Sequence, residues 1–196
     1  MSAEGVDLKK RRFLTAATSV VGAVGVGFAL VPFIASMQPS ARAKALGAPA
    51  EADISKLEPG QMLRVKWRGQ PVWVVKRTEQ TLKDLESLTG QLLDPNSEAP
   101  QQPEYAKNPH RSRKPEILVA IGICTHLGCS PVGPFAAGTN PTLGDNMGFL
   151  CPCHGSRFDM AGRVYKGVPA PSNLVIPPYR FLSDTLILVG DDGGAA

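Results

Sequence analysis

Twenty-nine consecutive residues, from Phe13 to Ala41, carry no charge. Within Phe13–Met37, 17 of 25 residues are apolar, and the rest are Gly, Ser, Thr and a single Pro. As a helix, 25 residues rise about 37 Å, enough to cross a hydrocarbon core of about 30 Å. Residues 13–37 are therefore expected to form a transmembrane helix, in which Pro32 is a tolerable kink. Lys9, Lys10, Arg11 and Arg12 precede the run, so the positive-inside rule puts residues 1–12 in the cytoplasm and the body across the membrane. Ala41-Arg42-Ala43 offers a small-x-small cleavage site, the alternative being a removable signal. The apolar core of a signal runs only about 7–15 residues, so retention is the expectation.

Lys9–Leu14 (KKRRFL) resembles a twin-arginine export signal, R-R-x-F-L. Aligning Phe13-Leu14 makes the pair Lys10-Arg11; aligning Arg11-Arg12 leaves Leu14 at the phenylalanine position. Export of that kind suits a protein that folds around a cofactor before crossing. The net charge of +4 also belongs to this end. Up to Lys44 the chain has six basic and two acidic residues, and from Ala45 onward fifteen of each. A neutral body excludes a basic nucleic-acid-binding domain. Residues 38–50 (QPSARAKALGAPA) lack apolar periodicity and read as a tether, flexible or partly helical.

Residues 51–196 read as one mainly antiparallel β domain. Met62–Trp67 and Pro71–Val75 flank Arg68-Gly69-Gln70 as a hairpin. Thr78–Leu88 fits a short helix capped by Thr78 or Thr81, with Leu82, Leu85 and Leu88 on one face. Leu92–Pro115, rich in Pro, Asn and Gln, is expected to be a long excursion with His110 a solvated loop residue. Glu116–Ile123 and Met147–Leu150 are strands that deliver the chain to Cys124 and Cys151. Arg163–Tyr165, Tyr179–Leu182 and Thr185–Val189 supply the later strands.

All four cysteines lie between Cys124 and Cys153, and two of the three histidines share that window. The first loop is Cys124-Thr-His126-Leu-Gly-Cys129 and the second Cys151-Pro-Cys153-His154-Gly-Ser156. Gly128 and Gly155 permit tight turns around a compact ligand. Three chemistries suit these groups. A zinc site could use any four of the six. A thiol redox pair is the weaker reading, because neither loop has C-x-x-C spacing. An iron–sulfur centre with two Cys on one iron and two His on the other is the third.

The boxes C-T-H-L-G-C and C-P-C-H-G-S resemble those of Rieske iron–sulfur proteins. The extra Cys in each box, the anchor, the tether and Gly167-Val-Pro-Ala-Pro171 resemble the membrane-anchored subunit of bacterial cytochrome bc complexes. The resemblance implies an all-β Rieske-type head, an antiparallel β-sandwich with a small cluster-binding subdomain, on a single N-terminal transmembrane helix. It implies one 2Fe–2S cluster held by Cys124, His126, Cys151 and His154 within loops 124–130 and 151–158. It also implies a disulfide between Cys129 and Cys153, which needs an oxidising compartment. Two imidazoles in place of two thiolates remove negative charge and ease reduction. Each keeps a second nitrogen, whose affinity for a proton rises when the centre gains an electron.

The resemblance further implies that His154 hydrogen-bonds ubiquinol in a pocket made with cytochrome b. The head would then swing to a c-type cytochrome, within a dimeric complex of the bacterial inner membrane, with the Rieske domain periplasmic. Leu127, Gly128, Pro169 and Pro171 would dock on partners. In the family Ser156 donates a hydrogen bond to a bridging sulfide, and position 158 is usually Tyr. Phe158 here lacks that donor, which implies a lower potential. Other readings are the small Rieske subunit of an arsenite oxidase and a zinc-stabilised binding module. A soluble oxygenase-type Rieske ferredoxin fits poorly with the anchor and with Cys129 and Cys153.

Overall fold

The computed structural model describes Gly5 and residues 7–194. The chain forms two compact units that divide after Ala45. The first is built on helix α1, Leu8–Ser36. It begins five residues before the expected Phe13, because the Asp7 carboxylate accepts from the N–H groups of Lys9 and Lys10. The four basic residues are thus helical, and occupy its first turns. None of its side chains is buried. Its length and composition suit a membrane span. In the expected tether, α2 (Ala41–Leu46) is helical and Ala50 already belongs to a strand.

Among the described residues the second unit holds nine strands: β1 (Ala50–Asp53), β2 (Met62–Trp67), β3 (Gln70–Lys76), β4 (Ile117–Ile121), β5 (Val132–Phe135), β6 (Gly148–Leu150), β7 (Arg157–Asp159), β8 (Tyr179–Phe181) and β9 (Leu186–Val189). They form three antiparallel three-stranded sheets, ordered β1-β9-β8, β2-β3-β4 and β5-β6-β7. The β2–β3 hairpin closes on the two-residue turn Arg68-Gly69, since Trp67 pairs with Gln70. β3 is the middle strand of its sheet, and Val72–Val75 and the whole of β4 are buried, which accounts for their unbroken apolar runs.

Helix α3 (Glu79–Ser87) starts at Thr78, whose hydroxyl accepts from the Thr81 N–H. Leu85 and Leu88 are buried and Leu82 is half-buried. The excursion 92–115 lacks strands, but it is not peripheral. It buries Leu92, Ser97, Ala106, Arg111 and Ser112, with one 3-10 turn at Glu104–Ala106. His110 is half-buried there rather than solvated, with its carbonyl accepting from Arg77. The expected strand at Arg163–Tyr165 is reduced to single bridges, Val164 to Phe158 and Tyr165 to Leu92.

Where the core meets the cluster loops, Trp73 stacks on Phe149 with ring centroids 4.8 Å apart. A side chain at Gly122 would collide with the Trp73 indole. This packing sets the base sheet, through β3 and β4, against β6. The strands that lead to Cys124 and Cys151 therefore share one buried aromatic floor.

Candidate functional site

The two boxes fold into loops with the same backbone hydrogen bonds. In the first, the Cys124 N–H donates to the Cys129 carbonyl at 2.7 Å and the Gly128 N–H to the Cys124 carbonyl at 3.1 Å. In the second, the Cys151 N–H donates to the Ser156 carbonyl at 2.7 Å and the Gly155 N–H to the Cys151 carbonyl at 3.0 Å. Gly128 at φ 84° and Gly155 at φ 74° hold equivalent left-handed positions that a side chain would strain. In this shared frame Leu127 of the first loop corresponds to His154 of the second, and both are exposed.

Cys129 and Cys153 form a disulfide that ties the loops together, with an S–S distance of 2.06 Å. Cys124 and Cys151 remain free thiols, each only 2% exposed. The sulfurs of Cys129, Cys151 and Cys153 lie within 4.8 Å of one another, but the disulfide consumes two of them as ligands. The rings of His126 and His154 stand edge to face, 4.7 Å between centroids, with His126 half-buried and His154 exposed. Two free thiols inside and two imidazoles toward solvent give four donors of two kinds. That donor set fits a binuclear iron–sulfur group with unlike irons.

Burial pushes the Cys124 thiol up, the His126 backbone N–H lowers it, the neighbouring Cys151 raises it and the Ser156 hydroxyl lowers it. The net rise makes the thiolate costly until a cation stands beside it, which is the ordinary coupling of metal binding to thiol deprotonation.

A third segment completes the tip. The Thr125 hydroxyl donates to the Ser172 carbonyl at 2.6 Å, and the Ala170 N–H donates to the Ser156 Oγ at 3.0 Å. Both boxes are thereby bonded to residues 167–172, among which Pro169 and Pro171 are exposed and Ala170 is buried. Leu127 is 70% exposed, beyond ordinary loop packing. Ser156 and Phe158 are fully buried. Sequence reading found these positions but missed the role of Thr125, because its partner lies 47 residues away.

Comparison with known proteins bears directly on this site. Residues 96–180 match the family model "Rieske [2Fe-2S] domain", and residues 1–40 match "Ubiquitinol-cytochrome C reductase Fe-S subunit TAT signal". A "Ubiquinol-cytochrome c reductase iron-sulfur subunit" of Allochromatium vinosum is 66% identical over all of this chain and 95% of that relative. The chain belongs to the ubiquinol-cytochrome c reductase iron-sulfur subunit family. Members of the same name from Rhodospirillum rubrum and Blastochloris viridis are 44% and 43% identical, each over 96% of this chain and 96% and 97% of the relative. As a family member, the chain carries a Rieske 2Fe–2S domain on a membrane-anchoring helix. The zinc and thiol-redox readings of the boxes are set aside by that match.

Proposed function

We propose that this chain is the electron-transfer subunit of a quinol–cytochrome c oxidoreductase, acting with cytochrome b and a c-type cytochrome and inactive alone. The observation that carries the reading is the edge-to-face pair of half-buried His126 and exposed His154, together with two buried free thiols, in loops joined by the Cys129–Cys153 disulfide. The names of the relatives, which are 66% and 44% identical over 100% and 96% of this chain, support it.

In this reading Cys124 and Cys151 hold one iron and His126 and His154 the other. When bound, the 2Fe–2S cluster takes up one electron, at a potential raised because two of its ligands are neutral imidazoles. His154 is the exposed imidazole; once its unligated ring nitrogen had lost its own proton, that nitrogen would accept a hydrogen bond from the ubiquinol hydroxyl and then its proton. Cys124 and Cys151, buried behind the imidazoles, are kept from water and oxidants. Leu127, Gly128, Pro169 and Pro171 form an exposed apolar rim that docks on cytochrome b and sheds water from the quinol pocket. Thr125 and Ser156, through their bonds to Ser172 and Ala170, keep that rim in register with the ligand loops. The head then moves on residues 38–50 to deliver its electron to the c-type cytochrome.

The basic residues Lys9–Arg12 favour a cytoplasmic N-terminus and a periplasmic head in the bacterial inner membrane, as one chain of a dimeric complex. The disulfide agrees with a periplasmic head. Affinity purification of the tagged chain from detergent-solubilised membranes tests the assignment. A dihaem cytochrome b and a c-type cytochrome should co-elute. Recovery with a molybdenum-containing subunit would instead assign the chain to an arsenite oxidase.

A further inference from the structure

Around β7 and the turn that follows it lie three buried guanidinium groups and one buried carboxylate, none of them from the proposed ligand residues. Arg77, Arg111, Arg163 and Asp159 are 3%, 0%, 1% and 0% exposed. Arg163 is paired with Asp159, its Nε donating to Oδ2 at 2.7 Å. Asp159 also accepts from the N–H groups of Ala161 and Arg163. Arg77 and Arg111 have no carboxylate within salt-bridge distance among the described residues. They donate only to neutral groups. Arg77 reaches the carbonyls of His110 and Met160 and the Ser112 hydroxyl, at 2.8, 3.2 and 2.7 Å. Arg111 reaches the carbonyls of Ala161, Gly162 and Leu174 and the Gln102 amide oxygen, at 3.3, 3.2, 2.8 and 2.9 Å.

These bonds fasten the turn after β7, and a neutral amide could make several of them. A buried charge without a counter-charge is costly and calls for a reason. Arg111 bears a second cost, since its backbone sits at φ 51°. Burial lowers Arg77 and Arg111 to about 10 against an opposing pull from Asp159, so both are charged at neutral pH. Being buried, they are also poorly screened by salt.

We propose that Arg77 and Arg111 are tuning charges, fixed on the turn after β7 so that their positive field, only partly offset by Asp159, raises the reduction potential of the 2Fe–2S centre. The register supports the range. Asp159 pairs with Gly148, and Cys151 follows Gly148 by three residues, about 10 Å along a strand. The guanidinium groups, bonded just beyond Asp159, then stand on the order of 15 Å from the cluster thiols. At an effective dielectric of about 20, one charge at that range changes the affinity for an electron by about threefold to tenfold. The inference rests on the Rieske reading of the site and adds to it a source of potential that lies outside the ligands and their hydrogen bonds.

The test is an EPR-monitored redox titration of the full-length, detergent-solubilised chain at fixed pH and salt, comparing Arg111→Gln, Arg77→Gln and Asp159→Asn. Each arginine variant should titrate lower by about threefold to tenfold in electron affinity, which is about 30–60 mV for one electron. Asp159→Asn, which removes a negative charge, should titrate higher, whereas a merely disturbed loop would not reverse sign with charge. Arginine variants that titrate at or above the parent potential would overturn the proposal. So would a downward shift in Asp159→Asn, or loss of the cluster from both arginine variants, which would make the arginines structural supports. A parent chain with no 2Fe–2S signal would instead overturn the proposed function, a separate result.

Discussion

Phe158 lies fully buried in β7, opposite Phe149 and bridged to Val164. The members that the second box resembles usually place a tyrosine there, whose hydroxyl bonds a ligating sulfur. A hydroxyl supplied by Phe158→Tyr should therefore stabilise the reduced centre and raise its midpoint potential; an unchanged or lower value in a redox titration would contradict that role. His110 gives a second test at this scale. Burial lowers its proton affinity first, then the Arg77 and Arg163 charges, with Glu86 opposing. Its folded-state pKa lies below that of the unfolded chain, so the folded state binds fewer protons. The stability this contributes is full above the unfolded value of about 6.5 and is lost as pH falls through the folded value. Melting curves of His110→Gln should decline less than the parent's between neutral and mildly acidic pH, and parallel curves would refute the assignment. The solvated His110 expected from sequence failed for a physical reason. The groups that bury it, Arg77 above all, are brought together by tertiary packing and share no local pattern with it.

Elements with strong local rules were readable in advance. The β2–β3 hairpin alternates poorly, yet its two β-rich runs suffice to mark it, although Gln70, expected in the turn, pairs with Trp67; α3 starts at Thr78, one of the two expected caps. Strands β1, β5 and β7 went unread because their sequences, AEAD, VGPF and RFD, hold few strand-forming residues, with Gly133 and Pro134 inside β5. Their pairing comes from neighbours, not from propensity. The aromatic floor has the same tertiary origin. Gly122→Ala should cost about 1–3 kcal/mol in chemical denaturation, since the indole of Trp73 must move away from Phe149. A change under about 0.5 kcal/mol would mean that the floor yields freely. The disulfide closes a loop with a sequence separation of 24, worth about 3 kcal/mol in the chain-entropy model. Cys129→Ser/Cys153→Ser should accordingly lose iron during purification, as judged by iron per chain. Full retention would show that the Thr125 and Ser156 bonds hold the tip without the covalent tie.

For the molecule as a whole, the function was legible because the candidate ligands fall in two contiguous boxes and the anchor in one uncharged run. The arginine group was not legible, because Arg77, Arg111 and Arg163 come from three separate segments that only the fold assembles. An asymmetric chain results, with a charged N-terminus before the anchor and an electrically neutral head beyond the tether. In the mechanism proposed for it, electron uptake is coupled to proton uptake at the imidazoles, with His154 the exposed one. Protein-film voltammetry of the purified full-length chain, from neutral to alkaline pH, tests it most directly. A single one-electron wave is expected, its midpoint falling as pH rises across that interval. A wave that stays at one potential across that range, or no wave at all, would contradict it.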